Sequence, residues 1–135
     1  MLKTFVDTVA WIALVNTRDS LHDKAKQIFA NLRRQNYQFI TTEFVLIEFA
    51  NALSAPEFRG KASHFIEGLQ KMFDVEIISA SSDLFALGFE LYKTRPDKEW
   101  SVVDCSSFIV MDEMNISEAF TEDHHFEQAG FIKLL

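Results

Sequence analysis

Short, β-prone apolar segments alternate with longer segments of helical periodicity along the 135-residue chain. The sequence predicts strands over residues 2–6, 37–41, 75–79 and 118–121, and an edge strand over 131–134. It predicts helices over residues 9–15, 21–35, 44–53, 58–73, 82–92 and 102–114. This alternation is typical of a parallel sheet covered on both faces. We therefore expect an α/β protein, a three-layer α/β/α sandwich whose central, mainly parallel sheet has four to five strands.

Polar residues mark the expected starts of several helices. Ser20 is followed three residues later by Asp23, which is the spacing of a capping box. Ser101 and Asp104 have the same spacing at the start of the 102–114 helix, and Thr42 precedes the 44–53 helix. Residues 123–126, by contrast, are predicted to form a turn.

Composition excludes several classes of protein. No apolar run reaches the roughly 18 to 20 uncharged residues of a membrane-spanning helix. Asp7 interrupts the first hydrophobic segment, so no signal peptide is expected. Cys105 is the single cysteine, which rules out an internal disulfide and a thiolate metal cage. We expect one domain, residues 1–135, in the reducing cytoplasm.

Negative charge is concentrated in the last third of the chain. The net charge is −7, and residues 97–127 carry nine acidic side chains against a single basic one, Lys98. A protein that binds nucleic acid through its surface charge usually has a basic stripe, which this sequence lacks. Much of the acidic stretch is expected to be a solvated face, with a cation bound near part of it.

Four acidic residues stand out because their neighbours are apolar or because they follow a predicted strand. Asp7 comes directly after the first strand and Asp123 directly after the fourth. Glu48 is the one charge within residues 44–50, and Asp104 lies in the first turn of its helix. Functional groups of open α/β sheets gather at the carboxyl ends of the strands. The fold could therefore bring these four carboxylates into one site.

The cost of burying these acids indicates a metal ion. Two carboxylates about 4 Å apart repel by roughly 4 kcal/mol at an effective dielectric constant near 20. No lysine or arginine lies in the apolar stretches around the four acids. Oxygen ligands favour a hard ion, Mg²⁺ or Mn²⁺, which can activate water and stabilise charge during phosphodiester hydrolysis. The sequence thus favours a metal-dependent phosphodiesterase.

Each acid also has a structural explanation. Asp7 could cap the following helix, and Asp104 could close a capping box with Ser101. Glu48 could pair with a buried arginine or reach solvent, and Asp123 could be an ordinary acid of a polar turn. Glu43 is the alternative to Glu48 if the other face of that helix points inward.

Other candidate sites are weaker. The adjacent His124 and His125 lack the residue spacing of a zinc site, and histidines in a turn usually face solvent. Cys105 has no activating partner in sequence and is expected to be a small core residue. An aspartyl phosphatase of the haloacid-dehalogenase type would need a second aspartate at the position of Val9.

At these residues the sequence resembles the PIN domain family and, within it, the VapC toxin ribonucleases. The resemblance covers nearly the whole chain. It rests on Phe5-Val6-Asp7-Thr8 with Ala10-Trp11, Thr41-Thr42 with Glu48, Asp104, and Thr121-x-Asp123-x-His125-Phe126. It implies an α/β/α sandwich that binds Mg²⁺ or Mn²⁺ and cleaves RNA.

The resemblance also implies roles and partners. Asp7, Glu48, Asp104 and Asp123 would be the metal-binding and catalytic acids, supported by the hydroxyls of Thr8 and Thr121. The implied partners are an RNA substrate, a small cognate antitoxin with a segment that fills the acidic groove, and a second copy of the chain. Some relatives have a further acid where this chain has His125, so one or two ions remain alternatives. A PIN-fold binding module without catalytic activity is the alternative function.

Overall fold

The computed structural model describes residues 2–135, and its centre is a single five-stranded sheet with the order β3-β2-β1-β4-β5. Every neighbouring pair of strands is parallel. The strands are β1 (Lys3–Val6), β2 (Gln38–Thr42), β3 (Val75–Ile78), β4 (Glu118–Phe120) and β5 (Ile132–Lys133). The predicted fold class is therefore confirmed, including the expected edge strand at the C-terminus.

Seven helices of the described chain connect and cover the strands. They are α1 (Thr8–Val15), α2 (His22–Arg34), α3 (Glu43–Ala52), α4 (Pro56–Lys71), α5 (Ser82–Thr94), α6 (Val102–Glu113) and α7 (His124–Gln128). Within residues 2–135, none of these helices is both long enough and apolar enough to cross a membrane.

The central strands carry the core, and buried polar contacts fix the ends of β1 and β2. Phe5, Phe39 and Phe120 are fully buried on adjacent strands. The indole Nε1 of the buried Trp11 donates to Thr41 Oγ1 at 3.2 Å, and Thr41 Oγ1 donates to the Val6 carbonyl at 2.9 Å. These bonds tie α1 and β2 to the carboxyl end of β1, where the first predicted acid follows.

The cap assigned to Ser20 is wrong. Helix α2 begins at His22, its N-cap position is Leu21, and no side chain caps it. The side chain that forms a turn before the helix is that of Asp19, whose Oδ1 accepts the Leu21 amide at 2.8 Å. The predicted capping box between Ser20 and Asp23 does not form. The Thr42 cap and the Ser101–Asp104 capping box are confirmed.

The start of α4 and the segment after β4 also differ from the prediction. Helix α4 begins at Pro56 rather than residue 58, because proline fits the first turn of a helix, where its missing N–H is not needed. The segment predicted as a turn after β4 is the short helix α7. Asp123 Oδ1 accepts the His125 amide at 2.9 Å, and this cap starts the helix.

Candidate metal centre

Asp7 is a buried carboxylate at the carboxyl end of β1. Its side chain is 3% exposed, and Oδ2 accepts the Thr121 hydroxyl at 3.1 Å. Asp7 occupies the N-cap position of α1, but its side chain makes no capping hydrogen bond, so capping does not account for it. Burial raises the pKa of Asp7 from 3.8 to about 7; the Thr8 amide opposes the rise, and the charges of Asp104 and Glu48 add to it.

Glu48 reaches the same region from α3. The Thr8 hydroxyl at the start of α1 donates to Glu48 Oε1 at 2.5 Å. Because Thr8 directly follows Asp7, this bond brings the Glu48 carboxylate to the carboxyl end of β1. Glu43, the alternative on this helix, is exposed, and its Oε1 accepts the Ala80 amide at 2.8 Å. The face of α3 that packs on α1 therefore places Glu48, and not Glu43, beside Asp7.

Asp104 combines a structural role with proximity to the other acids. Its Oδ2 accepts the Ser101 amide at 3.1 Å, which closes the capping box of α6. Burial, followed by repulsion from Asp123, raises the pKa of Asp104, whereas the hydrogen bonds with Ser101 and His125 lower it. The capping alternative for Asp104 is thus correct, and it coexists with a contact to His125, whose Nδ1 also lies near Asp123.

Thr121 connects Asp123 to the first acid. The Thr121 hydroxyl donates to Asp7 and accepts the Asp123 amide at 3.0 Å, so one buried threonine orients both residues. Asp123 Oδ1 also caps α7, so this acid has a structural role in its polar segment as well. The structure therefore brings Asp7, Glu48, Asp104 and Asp123 to one edge of the sheet, linked through Thr8 and Thr121.

His125 belongs to this cluster, although the sequence predicted a solvent-facing ring. Its side chain is 17% exposed, and Nδ1 lies 3.0 Å from Asp104 Oδ2 and 3.4 Å from Asp123 Oδ1. His124, with a side chain 67% exposed, does face solvent as predicted. The sequence signal that could have indicated this is Asp123 itself, because aspartate often caps a helix. The cap to the His125 amide starts α7 and turns the His125 ring toward the acids. Cys105 is buried as expected.

None of the four acids pairs with a lysine or arginine in the part of the chain that the structure describes. Among the ion pairs of residues 2–135, those of Asp104 and Asp123 are made with histidines, and Asp7 and Glu48 have none. Carboxylate and hydroxyl oxygens are the donors that Mg²⁺ and Mn²⁺ prefer. The residues at this edge of the sheet therefore fit a hard divalent ion.

The fold and the acidic cluster agree with a comparison to known families. Residues 4–132 match the PIN domain model, and the chain belongs to the PIN domain family. This family generally uses divalent metals for cleavage. The match excludes the haloacid-dehalogenase alternative and confirms the resemblance to PIN domains.

Within the family the chain is similar to VapC toxins. It is 29% identical over 130 residues to the 23S rRNA-specific endonuclease VapC20 from two strains of Mycobacterium tuberculosis, covering 96% of each chain. The crystal structure of that VapC20, described as a sarcin-ricin loop cleaving toxin, superposes with a TM-score of 0.86 at 28% identity over 97% of this chain and 98% of that one. VapBC2 from Rickettsia felis, bound to a promoter DNA fragment, shares the fold with a TM-score of 0.72 at 15% identity over 98% of both chains.

Proposed function

We propose that this chain is an Mg²⁺- or Mn²⁺-dependent endoribonuclease and the toxin of a toxin–antitoxin pair. The observation that carries the proposal is the convergence of Glu48 and Asp104 on Asp7, whose pKa their charges help to raise, with no lysine or arginine paired to any of the three among residues 2–135. Similarity to a curated ribosomal RNA endonuclease over nearly the full length supports RNA as the substrate.

The proposed roles follow from the contacts. Asp7, Glu48, Asp104 and Asp123 would hold the ion, and a bound Mg²⁺ or Mn²⁺ would activate water and offset charge on the phosphate that is cleaved. Thr121 orients the Asp7 carboxylate, and Thr8 orients that of Glu48. His125 holds Asp104 against the capping box of α6, so that the carboxylate keeps its position before an ion arrives.

The cleavage experiment compares two aspartates substituted in the same way. Asp7→Asn keeps the shape of the side chain and removes its charge, and we expect RNA cleavage in Mg²⁺ or Mn²⁺ to fall by about a thousandfold, equivalent to about 4 kcal/mol. Asp74→Asn is the matched control, because Asp74 is 7% exposed and pairs with Arg33 away from the four acids. The substrate is ribosomal RNA, with EDTA as the metal-free condition.

The outcomes separate the alternatives. Cleavage in EDTA that survives Asp7→Asn would contradict a metal-dependent mechanism. Mn²⁺ binding by calorimetry without cleavage of any RNA would favour the non-catalytic binding module.

The proposed partners are a second copy of the chain and a small antitoxin whose segment fills the acidic groove. An arginine of the antitoxin could replace the charge of the ion there. For the homodimer, α5 exposes three aromatic rings in a row, Phe85, Phe89 and Tyr92, each at least 43% exposed and stacked on the next. Light scattering of wild type and Phe89→Ser tests this contact, and a monomeric wild type would exclude it.

A further inference from the structure

The start of α7 brings three potential metal ligands together. Asp123, His124 and His125 each offer one ligand atom, and these atoms lie within 4.8 Å of one another. Asp123 Oδ1 is 3.7 Å from His124 Nδ1 and 3.4 Å from His125 Nδ1. Nδ1 is the ring nitrogen nearer the backbone, so two consecutive histidines can both turn it toward the residue that caps their helix. The sequence prediction gave a zinc site here little weight, because adjacent histidines lack the usual residue spacing of zinc ligands.

The distances from Asp123 Oδ1 suit a shared ion better than direct hydrogen bonds; the hydrogen bond of His125 Nδ1 is made with Asp104 Oδ2 at 3.0 Å. A hydrogen bond between nitrogen and oxygen spans about 2.7 to 3.2 Å, and both separations from Asp123 Oδ1 are longer. Two ligands of a tetrahedral zinc ion, with bonds of about 2.0 to 2.2 Å, lie about 3.4 Å apart. Small rotations of the exposed His124 ring would bring its nitrogen into that range without disturbing the core.

The donor set differs from that of the four carboxylates. Imidazole nitrogens favour Zn²⁺ and similar borderline ions over Mg²⁺. The Asp123 carboxylate is already held by the His125 amide at 2.9 Å, as carboxylate ligands of metals usually are. We propose that Asp123, His124 and His125 form a second site, specific for a borderline divalent ion such as Zn²⁺, beside the carboxylate centre.

An ion at this site would affect the neighbouring centre. Coordination takes the lone pair of His125 Nδ1, so the ring hydrogen resides on Nε2 and the hydrogen bond to Asp104 Oδ2 is lost. It also occupies Asp123, one of the four acids. If the proposed nuclease function holds, Zn²⁺ therefore inhibits Mg²⁺-dependent cleavage through His124, a residue with no part in that cleavage.

The test titrates the full chain with Co²⁺, whose visible absorption becomes intense when protein ligands hold it in tetrahedral geometry, and with Zn²⁺ in competition. His124→Ala should weaken binding of both ions by at least about tenfold, since loss of even an outer partner costs 10 to 100-fold. His64→Ala is the control, because His64 is an exposed histidine on α4. Equal affinity of wild type and His124→Ala would overturn the proposal, as would complete displacement of Co²⁺ by excess Mg²⁺.

A second measurement does not depend on cleavage or on variants. Nitrogen-15 spectra of the imidazole rings should show Zn²⁺ shifting Nδ1 of both His124 and His125 and leaving His22 and His64 unchanged. Shifts confined to His64, or equal at all four rings, would contradict the site. Zinc binding through His124 in a chain that cleaves no RNA would support this site and reject the nuclease proposal, whereas cleavage that Zn²⁺ does not inhibit would reject only the link between them.

Discussion

Two buried aspartates, Asp7 and Asp74, lie at opposite ends of the central sheet and have different hydrogen-bond and charge partners. Asp7 follows β1, and its carboxylate contacts the Thr121 hydroxyl and no basic residue of the described chain. Asp74 directly precedes β3, and its Oδ2 receives Arg33 Nε at 2.9 Å. The two side chains are buried to a similar degree, 3% and 7% exposed, so burial alone does not distinguish them.

The difference is in the countercharge. The fold supplies an arginine for the acid at the amino end of the sheet, as an isolated buried carboxylate requires. At the carboxyl end it gathers further acids around Asp7, which raises the free energy of the charged state. The charge at that end is therefore available to a bound cation. The comparison predicts that substituting Asp7 and substituting Asp74 have different effects on metal binding and on stability, and that Asp7 makes the stability depend on pH.

The largest expected difference is in the pH dependence of stability without divalent ions. The pKa of Asp7 is raised from 3.8 to about 7 in the folded chain. Its contribution to stability is therefore fully present below pH 3.8 and is lost as the pH rises through about 7, because the charged carboxylate must then stay buried. We expect Asp7→Asn to gain about 4 kcal/mol relative to wild type between about pH 4 and about pH 8. Urea unfolding in EDTA measures this, and a pH-independent difference would contradict it.

Metal binding should give the next largest effect. At a free Mn²⁺ concentration about 100 times Kd, the ion stabilises the fold by about 2.7 kcal/mol. We expect wild type and Asp74→Asn to show this rise in thermal unfolding experiments. Asp7→Asn should not show it, since its amide supplies no negative charge to the ion. Equal stabilisation of all three proteins would place the ion elsewhere.

Much of this comparison is accessible from the sequence. The alternation of strands and helices predicted the parallel sheet, and Asp7 and Asp123 were found because they follow strands. Glu48 was predicted from its apolar neighbours, but Glu43 stayed open as the alternative. Packing against α1, which the sequence does not show, determines which face of the helix points inward. Pairing of Asp74 with Arg33, 41 residues apart, likewise depends on tertiary structure.

His125 shows a different limit of sequence reasoning. Its ring direction depends on α7, a helix of five residues that starts because Asp123 caps it. Such a short helix leaves no periodic pattern to detect, so the segment was predicted as a turn and the histidines as solvent-facing. Local capping geometry, rather than hydrophobic periodicity, places this side chain against Asp104.

A pair of buried threonines extends the comparison with a smaller effect. Thr121 binds Asp7 and the Asp123 amide, whereas Thr4 donates to the Glu118 carbonyl at 3.1 Å near the amino end of β1. Replacing either one by valine leaves buried partners without a hydrogen bond and costs about 1 to 3 kcal/mol. Of the two variants, only Thr121→Val should weaken Mn²⁺ binding, by about 10 to 100-fold, because it releases the Asp7 carboxylate. Calorimetry measures the Mn²⁺ affinity of both variants. Equal affinities would show that Thr121 does not position the Asp7 carboxylate for the ion.

The smallest expected effect is that of Asp74→Asn on stability. The substitution removes the ion pair with Arg33, but the Arg33 side chain is 41% exposed, so solvent screens the pair and its loss costs about 1 kcal/mol or less. The difference from wild type should shrink further in concentrated salt, as it does for exposed pairs. Urea unfolding at low and high salt measures it. The Mn²⁺ affinity of Asp74→Asn should equal that of wild type, because Asp74 pairs with Arg33 and neither residue belongs to the acidic cluster. A parallel loss of Mn²⁺ binding would show that the two ends of the sheet are coupled.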